Sequence, residues 1–143
     1  MKKLFSLFLI SSLFIYSCSN QVLVSEDKTK ALFDEAKIKN DSGKTLDAIE
    51  IYTRILAQDS SSVKAYENRA WIYYKTNDYS KAGSDFSLAA VYSQKTDPVK
   101  AGDLYYTSAL NYELVYGCKS LVKDTYKKAC NLGNQKACNI TCK

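Results

Sequence analysis

The chain contains a degenerate repeat with an offset of 34 residues. Large and small apolar residues recur in the same order in both copies, pairing Leu32 with Tyr66, Ala36 with Ala70, Ala48 with Ala82 and Tyr52 with Phe86. Self-similarity at this period is typical of arrays of helical hairpins, in which each unit buries its apolar face against its neighbours. Such arrays present an extended surface. The repeat therefore predicts a protein that binds other proteins rather than one that catalyses a reaction.

The second copy carries the clearer motif. It reads AYENRAWIYY at 65–74, NDYSKA at 77–82 and DFSLA at 85–89. This pattern resembles the tetratricopeptide repeat (TPR). The resemblance implies that Ala70 and Ala82 lie where the two helices of a hairpin cross most closely, because only a small side chain fits there. The first copy is weaker, with Lys39 at a position that is usually aromatic and Ser60 where proline is usual.

The remaining sequence is also helical in its periodicity. The predicted helices cover residues 28–40, 45–58, 63–75, 79–93, 98–116 and 119–131, and no strand pattern is present. With the resemblance, this predicts an all-α fold, a short right-handed superhelix of about three antiparallel helix hairpins with a disulfide-pinned C-terminal cap. The predicted divisions are a signal peptide at 1–17, a lipidated cysteine and tether at 18–27, two repeats at 28–95, and a third hairpin with the cap at 96–143.

The C-terminal segment has a second resemblance. YKKACNLGNQKAC at residues 126–138 is similar to the cysteine-rich Sel-like repeats of secreted bacterial proteins. In those repeats an alanine-cysteine pair joins two helices, which implies a disulfide between Cys130 and Cys138. Cys118 and Cys142 would then form the remaining pair. Four cysteines allow three connectivities, and the sequence alone does not choose among them.

The N-terminus is typical of an exported protein. Lys2 and Lys3 precede an uncharged, largely apolar run over residues 4–16, which is too short to span a membrane and fits a signal peptide. The segment Ile15–Cys18 resembles a bacterial lipobox, so we expect lipidation at Cys18. Ser19 and Asn20 carry no inner-membrane retention signal, which favours the outer membrane or the periplasmic face. The alternative is ordinary cleavage near Cys18 and a secreted chain.

Composition argues against several functions. The chain has no histidine, which removes Ser-His-Asp and Cys-His catalysis and the commonest zinc ligand. Its five glycines are dispersed, so no phosphate-binding loop is present. The formal net charge of +5 is too small to predict nucleic-acid binding by an exported protein. We therefore expect no enzymatic activity, no metal, no small-molecule cofactor and no nucleic-acid partner.

The TPR resemblance also indicates where a partner would bind. In that family the groove is lined by the first helix of each hairpin. Its groove-facing positions correspond here to Lys30, Phe33, Lys37, Asn40, Lys64, Glu67, Trp71, Tyr74 and Lys75, and by looser analogy to Tyr106, Leu110 and Glu113. Trp71 and Tyr74 share one helix face, and both residue types are favoured at binding hot spots. The alternative is that these aromatic residues only pack one hairpin against the next.

Two functions remain open at this point. The first is a membrane-anchored scaffold or assembly factor that binds a protein or peptide partner in the bacterial cell envelope. The second is a secreted, cysteine-rich repeat protein that binds a host or cell-wall target. Lipidation at Cys18 would distinguish between them.

Overall fold

The computed structural model describes residues 26–140, and this part of the chain forms seven helices and no strand. Their bounds are α1, residues 26–41; α2, Thr45–Gln58; α3, Val63–Lys75; α4, Tyr79–Ser93; α5, Pro98–Tyr116; α6, Ser120–Asn131; and α7, Gln135–Cys138. The predicted all-α class is confirmed, and the predicted ends of α2 to α5 coincide with the observed ones. The predictions for the signal peptide, for Cys18 and for Cys142 lie outside the described residues.

Local sequence explains where these helices begin and end. Gly43, between α1 and α2, has a φ of 78°, a left-handed conformation that glycine adopts without a steric penalty. At the start of α5, the Asp97 carboxylate accepts a hydrogen bond from the Lys100 backbone N–H at 3.0 Å, and Pro98 occupies the first turn. Proline is tolerated there because its missing N–H would have no partner within the helix.

The core is formed by the repeat positions. Each helix packs against the next along the chain, so the apolar faces of α2 to α7 are covered in sequence order. All eight residues that define the repeat are buried, namely Leu32, Ala36, Ala48, Tyr52, Tyr66, Ala70, Ala82 and Phe86. The four alanines have no exposed surface, as expected where helix axes approach closely. The periodicity therefore identified the core of the first two hairpins.

A third hairpin, α5 and α6, continues the array with a shifted spacing. Tyr105, Ala109 and Tyr112 are buried in α5 at the positions that Tyr66, Ala70 and Tyr73 occupy in α3. In α6 the buried apolar residues are Val122, Tyr126 and Ala129, which have the same mutual spacing as Ala82, Phe86 and Ala89. One additional residue separates Ala109 from Val122, and this insertion explains why a strict third repeat fails in the sequence.

Helices α4 and α5 are in very close contact. A Cβ atom added to Gly83 would lie 2.7 Å from Cδ1 of the Tyr112 ring, which is closer than real side chains approach. The Ser108 hydroxyl on α5 donates a hydrogen bond to the Gly83 carbonyl at 2.7 Å. Glycine is thus required at position 83 for packing, although glycine inside a helix costs about 1 kcal/mol relative to alanine.

The C-terminal part of the described chain is cross-linked. Cys130 at the end of α6 and Cys138 in α7 form a disulfide, as the Sel-like resemblance implied. Ala137 is buried against the core, and the Asn134 amide donates a hydrogen bond to Asp103 of α5 at 2.7 Å. The Cys118–Cys142 pair stays a prediction. Among residues 26–140, none of the helices has the combined length and apolar character needed to cross a bilayer.

Candidate binding groove

Two adjoining cavities lie on the face formed by α1, α3 and α5. The first lies mainly between α1 and α3, with a volume of about 480 Å³. Its lining combines charged and amide side chains with aromatic ones. The lining residues are Phe33, Asp34, Lys37, Asn40, Asp41, Tyr52, Lys64, Asn68, Trp71, Ile72 and Lys75. Helical spacing places Phe33, Lys37 and Asn40 on one side of α1. The cavity therefore brings together side chains from α1, α2 and α3 that are far apart in the sequence.

The three lysines of this first cavity have different surroundings. The Lys37 ammonium donates a hydrogen bond to Asp41 at 2.6 Å, and this bond raises the lysine pKa above its ordinary value. The Lys64 ammonium lies 4.7 Å from the centre of the Phe33 ring, in a cation–π contact. Lys75 has no carboxylate within 4.0 Å in the part of the chain that the structure describes. Lys64 and Lys75 are thus free to meet an anionic group.

The second cavity lies between α3 and α5, with a volume of about 390 Å³. It is mostly apolar, and its lining comprises Trp71, Tyr74, Thr107, Leu110, Asn111, Glu113 and Leu114. Trp71 also lines the first cavity and is 47% exposed. Its ring packs edge-on against Tyr74 at 5.7 Å and against the buried Phe86 at 5.0 Å. Trp71 therefore packs against aromatic neighbours while nearly half of its surface stays exposed.

The polar groups of the second cavity are mainly acceptors. The Tyr126 hydroxyl donates a hydrogen bond to Oε2 of Glu113 at 2.6 Å. Burial and the neighbouring Glu113 carboxylate raise the pKa of the Tyr126 hydroxyl, so Tyr126 stays protonated and keeps donating at neutral pH. The Asn111 amide nitrogen donates to the Thr107 carbonyl at 2.8 Å, whereas its oxygen has no partner in the described chain.

Three of the predicted groove residues, Lys30, Glu67 and Tyr106, lie outside both cavities. Glu67 forms an ion pair with Lys100, with 2.7 Å between Oε2 and Nζ, and this pair links α3 to α5. Tyr106 packs against Tyr126 with ring centres 5.9 Å apart and borders a separate hollow beside Gln135. The other predicted positions line one cavity or both, and these are Phe33, Lys37, Asn40, Lys64, Trp71, Tyr74, Lys75, Leu110 and Glu113.

The prediction also missed residues in the lining. Asn68, Thr107, Asn111 and Leu114 are present in the cavities but were not expected there. Asn111 had a detectable signal, because it lies on the same face of α5 as the buried residues Leu104 and Ser108, which precede it by seven and three positions. A polar side chain at such a position usually has a hydrogen-bond partner within the protein. Where it has none, a ligand or a water molecule can supply one.

The described residues contain no cluster of the usual metal-binding side chains. Over residues 26–140, no three His, Cys, Asp or Glu side chains come together as a metal site would require. Because the chain lacks histidine, neither cavity has an imidazole base beside a nucleophile. What the cavities offer is exposed aromatic surface next to unpaired polar groups, the combination typical of a recognition site.

No protein-family model and no curated protein matches this sequence. Solved structures do match its fold. The N-terminal domain of stress-induced protein-1 (STI-1) from C. elegans gives a TM-score of 0.67 at 14% identity, over 78% of this chain and 90% of that one. The first TPR of Spaghetti (RPAP3), bound to the HSP90 peptide SRMEEVD, gives 0.57 at 23% identity, over 79% and 86%. The fold is TPR-like. The Sel-like character of residues 126–138 stays a prediction.

Proposed function

We propose that this TPR-like domain is a protein-interaction module that binds an extended segment of a partner protein along α1, α3 and α5. The observation that carries the proposal is the pair of adjoining cavities with the half-exposed Trp71 between them. A large aromatic ring is costly to leave in water and is favoured at binding hot spots. The RPAP3 repeat of similar fold is bound to a peptide, which supports the proposal by analogy.

The first cavity determines part of the partner's chemistry. Lys64 and Lys75 lack a carboxylate partner in the described chain, and they outnumber Asp34, the one carboxylate of this cavity that has no ion pair there. The amides of Asn40 and Asn68 add donors and acceptors that can bind a peptide backbone. An acidic side chain or a terminal carboxylate would satisfy the lysines, so the bound segment carries at least one negative charge at this end.

Reversing the two charges tests this assignment. Peptides selected by display on the wild-type domain should bind the Lys64→Glu/Lys75→Glu variant at least about tenfold more weakly, because the acidic group then meets like charge. Binding can be followed through Trp71, which is the only tryptophan of the chain. The matched control is Lys123→Glu/Lys127→Glu, which makes the same charge change on exposed positions of α6. Equal losses in both variants would argue against a site between α1 and α3.

We further propose that the module acts as a scaffold or assembly factor anchored to the bacterial envelope. This part rests on the sequence alone, through the basic start, the apolar run at 4–16 and the lipobox-like segment before Cys18. Anchoring would concentrate the groove near envelope proteins, where a weak peptide contact becomes effective.

The anchor is tested by the mass of the exported chain. When the full sequence is expressed in a bacterium that processes lipoproteins, we expect a membrane-bound product that begins at Cys18 and carries acyl mass. The Cys18→Ser variant should lose the acyl mass and leave the membrane fraction. An unacylated soluble product from the unaltered sequence would instead support the secreted alternative, with a host or cell-wall target.

A further inference from the structure

The two cavities differ in the sign of their formal charge. Three lysines and two aspartates line the first cavity, where Lys37 pairs with Asp41 and the two remaining lysines, Lys64 and Lys75, outnumber the one remaining carboxylate, Asp34. The second contains one charged residue, Glu113, and no lysine or arginine lines it. Oε2 of Glu113 accepts a hydrogen bond from the Tyr126 hydroxyl, whereas Oε1 has no hydrogen-bond partner among residues 26–140. One carboxylate oxygen in a mostly apolar cavity is therefore available to a donor from outside.

Asn111 provides a second acceptor in the same wall. Its side chain is 3% exposed, and its Oδ1 has less than 1 Å² of accessible surface and no partner in the described chain. The orientation of the amide is fixed, since a flip would place Oδ1 against the Thr107 carbonyl that Nδ2 now contacts. A buried acceptor without a donor carries a free-energy cost, because it has lost its hydrogen bond to water. An incoming N–H group would remove that cost after a small shift of the neighbouring side chains.

The other lining groups suit a long cationic side chain. Trp71 and Tyr74 are 47% and 42% exposed and present ring surface that attracts a cation. Leu110 and Leu114 are 40% and 64% exposed, and they offer an apolar wall for an aliphatic stem. A guanidinium group combines the required features, because it is planar, stacks on aromatic rings and carries five N–H donors.

We infer that the cavity between α3 and α5 binds an arginine side chain of the partner peptide. The inference rests on the proposed function, because the arginine belongs to the segment whose acidic group lies between α1 and α3. The guanidinium donates to Oε1 of Glu113 and to Oδ1 of Asn111, and its plane stacks on Trp71 or Tyr74. Opposite charges at the two ends of the segment then set the direction in which the peptide lies.

A set of short amidated peptides tests this inference. Each peptide contains one pair of acidic residues and one arginine. The position of the arginine relative to the acidic pair differs from one peptide to the next. Each also has a twin in which citrulline, a neutral residue of the same shape, replaces the arginine. At one spacing we expect the arginine peptide to bind about tenfold more tightly than its twin, because a hydrogen bond to a charged group is stronger than a neutral one. Trp71 fluorescence reports the binding.

Two variants identify the partner of the arginine. Glu113→Gln keeps an acceptor for Tyr126 but removes the charge, so the preference for arginine over citrulline should disappear while the twin binds as before. Glu50→Gln makes the same change on the exposed side of α2 and should leave the preference intact. If peptides bind but never distinguish arginine from citrulline, the inference is wrong and the proposed function stands. If no peptide of either kind binds, the proposed function itself is wrong.

Discussion

Replacing Asp85 with alanine should lower the free energy of unfolding by about 3 kcal/mol. Asp85 on α4 accepts two hydrogen bonds from Arg69 on α3, from Nε at 2.7 Å and from Nη2 at 2.9 Å. The side chains are only 6% and 16% exposed. Without Asp85 the guanidinium would keep its charge in a poorly solvated place, where the described residues leave it the Thr53 hydroxyl at 2.8 Å as a hydrogen-bond acceptor and the Tyr66 ring at 5.8 Å. Urea denaturation monitored by circular dichroism measures the loss.

Two controls separate burial from charge. Asp41→Ala removes the exposed ion pair with Lys37 and should change stability by no more than about 0.5 kcal/mol, because solvent screens such pairs. The double variant Arg69→Met/Asp85→Leu should recover most of the lost stability, since apolar residues can replace a buried ion pair. Equal effects of Asp85→Ala and Asp41→Ala would show that the α3–α4 pair does not stabilise the hairpin through its burial.

Removing the Cys130–Cys138 disulfide should cost about 2–3 kcal/mol of unfolding free energy. The bond closes a short loop between α6 and α7, so its loss gives the unfolded chain more freedom. Helix α7 has only four residues and depends on this link and on Ala137 for its position. The Cys130→Ser/Cys138→Ser variant should melt at a lower temperature and exchange the α7 amide protons faster than the wild type.

The matched control changes two exposed residues of the same helices. Lys127→Ala/Lys136→Ala should stay within about 0.5 kcal/mol of the wild type, as is usual for surface substitutions. If the serine variant were as stable as this control, the disulfide would not be the element that holds the C-terminal cap.

Much of the fold could be predicted from the sequence because helix formation and burial follow from local pattern. The turn residues at 42–44 and 76–78 and the Asp97–Pro98 pair determine where helices end and begin. The alanines at 36, 48, 70 and 82 mark the crossing points, since larger side chains would separate the helices. These features act over a few residues or over one repeat, so they can be read without coordinates.

The lining of the two cavities could be predicted only in part. The TPR resemblance placed Phe33, Lys64 and Trp71 on one face, and the structure has all three in the lining of one cavity. Tyr106 of the third hairpin packs against Tyr126 of α6 and lines neither cavity. Glu67 was expected in the groove, but it is neutralised by Lys100 of the next hairpin. Such pairings depend on how two hairpins are placed relative to each other.

The sequence by itself thus determined the helices, their order, the buried repeat positions and, through a resemblance, the Cys130–Cys138 bond. Only the tertiary structure decided which charges are paired and which remain available. Arg69 and Asp85 form an ion pair in the second repeat, but the equivalent positions of the first repeat are Glu35 and Ile51, so no repeat rule predicts it. The unpaired oxygen of Asn111 is likewise invisible in the sequence. Hydrogen bonds and ion pairs act over a few ångströms, and only the packed helices bring these groups within that range.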